Sequence, residues 1–113
     1  MLLSWSFLFT QENTFLLFPK VNLDTTKILV LIHSNSETYD RRDANRRTWL
    51  KDLSDYPHIA VAFVVGKPAK AGIQKLLIEE SQKFGDILQV DIKDDYWTLT
   101  IKETMAFKYA VNT

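Results

Sequence analysis

Two arginines four residues apart, Arg42 and Arg46, are the first side chains in this sequence with chemistry to explain. Wound as a helix at about 100° per residue, their segment places Arg42, Arg46, Trp49 and Leu53 on one face, with Arg41, Ala44 and Thr48 roughly opposite. A guanidinium on an inward stripe is costly without a partner, so something anionic must answer the pair. A diphosphate near the end of the preceding strand would serve, because arginine offers planar, paired donors to phosphate oxygens. Alternatively, both stems lie over Trp49 and the heads reach water or an acid such as Asp86. Spacing alone leaves both readings open.

Other polar residues have weaker claims. Asp91, Asp94 and Asp95 gather after the third strand, where carboxylates suit either a divalent cation or a turn and cap. His33 sits inside an apolar strand, with nothing nearby in sequence to make it a base. His58 follows Pro57 and is expected at the surface.

Alternating elements must position these groups. Residues 27–33 (KILVLIH) and 59–65 (IAVAFVV) are near-continuous apolar runs of strand length, the pattern of strands covered on both faces. A helix is expected over 39–53, with Asp40 near its positive end and Pro57 beyond its close. A second is expected over 72–84, with Ile73, Leu76, Leu77 and Phe84 at helical spacing and Gly85 as its C-terminal cap. A third strand covers 86–91. Thr100-Ile101-Lys102-Glu103 fits a capping box that opens a last helix toward Val111. Strand and helix thus alternate three times, which implies parallel pairing and ligands beyond the carboxyl ends of the strands.

The totals bound the rest. A chain of 113 residues supports one small domain. Fourteen basic and fourteen acidic residues cancel, so no global field pulls the chain toward nucleic acid or anionic membrane. With no cysteine, disulfides, cysteine–zinc sites and thiol nucleophiles are excluded. Residues 1–24 are expected to be a peripheral apolar arm, as an extra strand or loosely packed, or a degenerate membrane anchor, ahead of a domain over 25–113. Their apolar pieces are shorter than the roughly 20 residues that span a bilayer, and no basic residue precedes them.

Two stretches carry a resemblance. Arg41-Arg42-Asp43-Ala44-Asn45-Arg46-Arg47-Thr48-Trp49 matches an Arg-Arg-x-Ala-Ile-Arg-x-Thr-Trp pattern at all but one position. Phe84-Gly85-Asp86-Ile87, followed by Thr98-Leu99-Thr100-Ile101-Lys102-Glu103-Thr104, is similar to Tyr-Gly-Asp-Ile and Asn-Leu-Thr-Leu-Lys-Thr in the same order. Together they resemble the first part of the catalytic domain of the β-1,3-galactosyltransferase and β-1,3-N-acetylglucosaminyltransferase family (glycosyltransferase family 31), over about residues 27–112. Departures are Asn45 for a branched apolar residue, Leu50 for glycine, Phe84 for tyrosine, and Thr98 for asparagine, which removes a glycosylation sequon.

The resemblance implies a Rossmann-like βαβαβα half of a GT-A-type nucleotide-sugar domain with a mostly parallel sheet, truncated. It makes Ser34, Arg42, Arg46, Asp86 and Lys102 the candidate UDP-sugar residues. Ser34 would meet the uridine or its ribose, unless it is only a turn or cap serine. The arginines would hold the nucleotide-sugar or the loop around it, and Lys102 the diphosphate or an inner carboxylate. Asp86 is as compatible with a structural anchor. Thr48 and Trp49 become packing residues, and Asn45 weakens the helix's grip on the sheet. For full-length relatives the resemblance implies UDP-sugar-dependent hexosyl transfer to a glycan acceptor in protein glycosylation, at the luminal side of the Golgi membrane. It implies manganese held by an Asp-x-Asp farther along than this chain reaches, with neither metal motif nor base present here. The alternative is a non-catalytic α/β module that binds a nucleotide or another protein.

Overall fold

The computed structural model describes residues 15–22 and 24–93. Its elements are β1 (Phe15–Leu17), β2 (Ile28–His33), α1 (Tyr39–Arg47), α2 (Trp49–Asp52), a single 3-10 turn (Leu53–Asp55), β3 (Ile59–Lys67), α3 (Ala71–Phe84) and β4 (Ile87–Lys93). They build a four-stranded sheet in the order β1-β4-β3-β2. β2 runs parallel to β3, from Ile28 opposite Ile59 to His33 opposite Val64. β3 runs parallel to β4, with the register shifting between Val65 and Lys67. The expected α/β class and mostly parallel sheet are therefore observed. Part of the amino-terminal arm belongs to the sheet, since β1 pairs antiparallel with β4 at its edge.

Both faces of the sheet are apolar, which is why the strands read as unbroken hydrophobic runs. On one face Ala62, Val64, Leu88 and Val90 are fully buried, packed with Phe15, Leu29, Leu31 and Ile92. On the other, Phe63, Val65 and Ile87 receive Leu77 and Ile73 from α3 and Leu50 from α2. Both crossover segments thus lie on one side, and α1 faces α3 across a narrow gap.

The helix expected over 39–53 is broken. Thr48 leaves helical geometry at φ −110°, ψ −107°. Its hydroxyl donates to the Ala44 carbonyl at 2.7 Å, the acceptor its own N–H would use in a continuous helix. That N–H turns instead to the Asn45 carbonyl at 3.3 Å. A threonine hydroxyl that bonds back one turn competes with the helical ladder in this way. The break rotates Trp49 off the arginine stripe. Trp49 is 43% exposed, so it is not the packing residue expected of it, and Leu50 takes the inward place. The Asn45 side-chain oxygen accepts the Trp49 indole N–H at 2.8 Å, across the break.

α3 ends as its sequence requires. Gly85 adopts the left-handed conformation at φ +67°, and its N–H caps the Ser81 carbonyl at 2.8 Å. The expected last helix, with Lys102, Asp94 and Asp95, lies outside the described residues.

Candidate functional site

The two arginines point inward from α1, and carboxylates from α3 and from the residue just before β4 answer them. Arg42 is 1% exposed. Its Nε donates to Glu80 Oε2 at 2.7 Å and its Nη2 to Glu80 Oε1 at 2.8 Å, a paired fork on one carboxylate. Nη1 donates to Ser34 Oγ at 2.9 Å and to the Asn35 carbonyl at 2.6 Å. Nη2 also reaches the Ser36 carbonyl at 3.3 Å. A guanidinium has five N–H groups, and every one on Arg42 has an acceptor within the chain.

Arg46, one turn later, donates from Nε and Nη2 to the two carboxylate oxygens of Asp86 at 2.9 and 2.7 Å. Nη2 also donates to Glu80 Oε2 at 2.6 Å. Its guanidinium carbon lies 4.0 Å from the Phe84 ring centroid and 5.0 Å from that of Phe63. Nη1 is buried with no hydrogen-bond partner, on a guanidinium that stacks over these rings. Of the two sequence readings of Arg46, an acid such as Asp86 is what the side chain meets, but over phenyl rings rather than over Trp49.

Glu80 is the shared member, bridging both guanidinium groups. Burial alone would push its carboxyl up, but the hydrogen bonds from Arg42 and Arg46, with their positive charges, outweigh that and hold it below its ordinary value. Burial would likewise push Arg46 down, and the bonds to Asp86 and Glu80 with their negative charges hold it above its ordinary value. Sequence reasoning assigned Glu80 no role. It lies 38 residues from Arg42, and the only available signal was an acid on the otherwise inward stripe of Ile73, Leu77 and Phe84.

Arg42 secures the loop that leaves the carboxyl end of β2. Ser34 continues the sheet, its N–H donating to the Val64 carbonyl at 2.9 Å. The Asn35 side chain accepts the Glu37 N–H at 2.8 Å, and the Asn35 carbonyl accepts from both the amide and the hydroxyl of Thr38. Such a turn aims its carbonyls inward at the arginine. Beside it, a cleft of about 370 Å³ opens between α1 and α3, with Tyr39, Ile73 and Leu76 among its lining and Arg42 and Glu80 at its floor.

The structure therefore brings together Ser34, Arg42, Arg46 and Asp86, and adds Glu80. A second buried polar group was also missed. Gln89 exchanges amide hydrogen bonds with Gln74 at 2.7 and 2.8 Å and donates to the Gly66 carbonyl at 3.0 Å, tying α3 to the sheet. Asp91 pairs with Lys67 at 3.3 Å. His58 is exposed, with Nδ1 3.2 Å from the Thr25 carbonyl. Among the described residues, no group of three or more His, Cys, Asp or Glu converges to hold a metal ion. Glu80 and Asp86 are engaged by guanidinium groups, so this part of the chain does not fit a manganese site. No helix among the described residues is long and apolar enough to cross a membrane.

Comparison with known proteins gives this arrangement its context. Beta-1,3-galactosyltransferase 5 of Pan paniscus is 30% identical over 107 residues, covering 92% of this chain and 36% of the relative. Beta-1,3-galactosyltransferase 1 of Mus musculus is 31% identical over 108 residues, covering 94% and 31%. Beta-1,3-galactosyltransferase bre-2 of Caenorhabditis elegans is 27% identical over 107 residues, covering 90% and 30%. The chain spans about a third of the length of these curated relatives. The galactosyltransferase family model matches residues 40–113, from the start of the arginine helix onward. With that match the chain belongs to the galactosyltransferase family, of whose domain it forms a part.

Proposed function

We propose that this chain forms the donor side of a hexosyltransferase domain, the part that receives the UDP portion of a UDP-sugar. In the whole enzyme a hexosyl group would pass to an acceptor hydroxyl on a glycan, with inversion, to give a β-1,3 linkage. The observation that carries this reading is the pinned loop after β2. It lies at the carboxyl end of a parallel strand, where α/β sheets take ligands, and a fully buried arginine fixes its carbonyls. Ser34 and the loop around it would face the uridine. Arg42, Arg46 and Asp86 would serve by holding that frame, and Lys102 would meet the diphosphate. Manganese is the metal this reading implies for the whole enzyme, but its ligands are not among the described residues and no step is assigned to it. A luminal Golgi location belongs to the same reading.

By itself the chain is expected to bind UDP without transferring sugar. UDP titrated calorimetrically should bind with a Kd tighter than about 1 mM, or roughly 4 kcal/mol. Arg42→Ala and Arg46→Ala should abolish that binding. Absence of heat with the folded wild-type protein would overturn the donor-side reading. Turnover of UDP-galactose or UDP-N-acetylglucosamine with manganese would overturn the inactivity of the isolated chain.

One observation favours a second reading, a non-catalytic α/β module. Every N–H of Arg42 is satisfied internally, as in a residue whose whole task is structural. That reading gains if the folded chain ignores UDP.

A further inference from the structure

We infer that Glu80 is a positioning residue, setting the conformation of the Ser34–Ser36 loop through Arg42. The loop's role in donor binding rests on the reading above, but the way it is held does not. Glu80 projects from the inward stripe of α3, an element anchored to the sheet through Leu77, Ile73 and the Gln74–Gln89 amide pair. Its two oxygens take Nε and one Nη2 hydrogen of Arg42. With the fork seated on this carboxylate, the guanidinium plane is fixed. Its remaining three hydrogens then fall on Ser34 Oγ, the Asn35 carbonyl and the Ser36 carbonyl. A lysine in place of Arg42 could not reproduce this, since it lacks the planar fork. Equally, a neutral amide in place of Glu80 would present an NH2 to an N–H and free one end of the fork. Other ties of the loop include the Ser34 N–H bond to the Val64 carbonyl and an exposed pairing of Glu37 with Lys70 at 4.0 Å. Besides Arg42, the hydrogen bonds of residues 35–38 described above are local, to Asn35 and within the turn. A helix on the far side of the cleft thereby sets the shape of the strand-end loop.

The test is amide hydrogen exchange by NMR on the 113-residue protein, comparing wild type with Glu80→Gln. The Glu37 and Thr38 amides, which bond to Asn35, should exchange at least about 10-fold faster in E80Q than in wild type. Ile87→Ala, a buried-core truncation at the amino end of β4, serves as the stability control. It should accelerate β3 amides through lost global stability and leave the locally opening loop amides close to the wild-type rate. Glu80→Asp keeps the charge but not the reach, and should fall between wild type and E80Q. If E80Q does not fold, E80D is read by the same comparison. Loop amides that keep the wild-type rate in the Glu80 variants would overturn the inference. UDP titration of the same samples addresses the donor reading separately. A loop freed in E80Q together with no UDP binding by wild type would uphold the positioning role and sink the donor assignment.

Discussion

Removing the Arg42 side chain is the most direct challenge to this account. Arg42→Ala deletes all five of its hydrogen bonds. It leaves Glu80, 6% exposed, with only the Arg46 contact on Oε2. Breaking a buried ion pair by deleting one partner costs about 3–5 kcal/mol, because the other charge stays buried and uncompensated. Against a total stability on the order of 5–15 kcal/mol for a domain, that loss should lower Tm by more than about 10 °C. Urea unfolding followed by far-UV circular dichroism at pH 7 measures it, with the midpoint falling while the slope holds. Replacing both partners, as Arg42→Met with Glu80→Leu, should recover part of the loss, since an apolar pair of similar volume removes the desolvation penalty from both sides. Recovery is incomplete because the Asn35 and Ser36 carbonyls still lose the arginine and Arg46 keeps only Asp86. An Arg42→Ala loss below about 1 kcal/mol, the range of exposed ion pairs, would refute the buried network as described.

Three further outcomes follow from the same geometry. Because the folded-state carboxyl of Glu80 is held below its ordinary value, its contribution is fully present above the unfolded carboxylate pKa, about 4.3. It is lost as pH falls through the lower folded value, so stability should decline on acidification below about pH 5, and Glu80→Gln should flatten that decline in a pH series of melts. Gly85→Ala forces a left-handed residue and brings a new Cβ to 3.2 Å from the Lys20 side chain; a loss of about 1–2 kcal/mol is expected in thermal unfolding. Gln89→Leu leaves the Gly66 carbonyl and the Gln74 amide without their buried partner and should cost about 1–3 kcal/mol in urea unfolding. Adding Gln74→Leu should restore part of that, since removing both members of a buried polar pair is nearly neutral.

Much of the fold could be read directly from residue patterns. The apolar runs of β2 and β3 appear where continuous hydrophobicity requires strands covered on both faces, and α3 closes at Gly85 as a left-handed cap must. The break at Thr48 was not readable, because helical periodicity counts side-chain polarity and does not register a hydroxyl competing for a backbone carbonyl. That competition also moved Trp49 to the surface and gave Leu50 its place in the core. β1 could be anticipated only as an extra strand or a loose arm, because three residues carry too little pattern to tell the two apart.

The candidate site divides along the same line. Local sequence determined that Arg42 and Arg46 share one helical face, since their four-residue spacing sets that through helix geometry alone. It also favoured an anion to meet them, since desolvating two guanidinium groups is costly, but left heads that reach water as the alternative. Which anion does so was decided only by the fold. The acids are 34 to 40 residues away, and only the parallel crossover that lays α3 beside α1 and starts β4 beneath them makes Glu80 and Asp86 neighbours of the arginines. Pairing across such separations depends on how whole elements pack, and no short window of the chain contains that information.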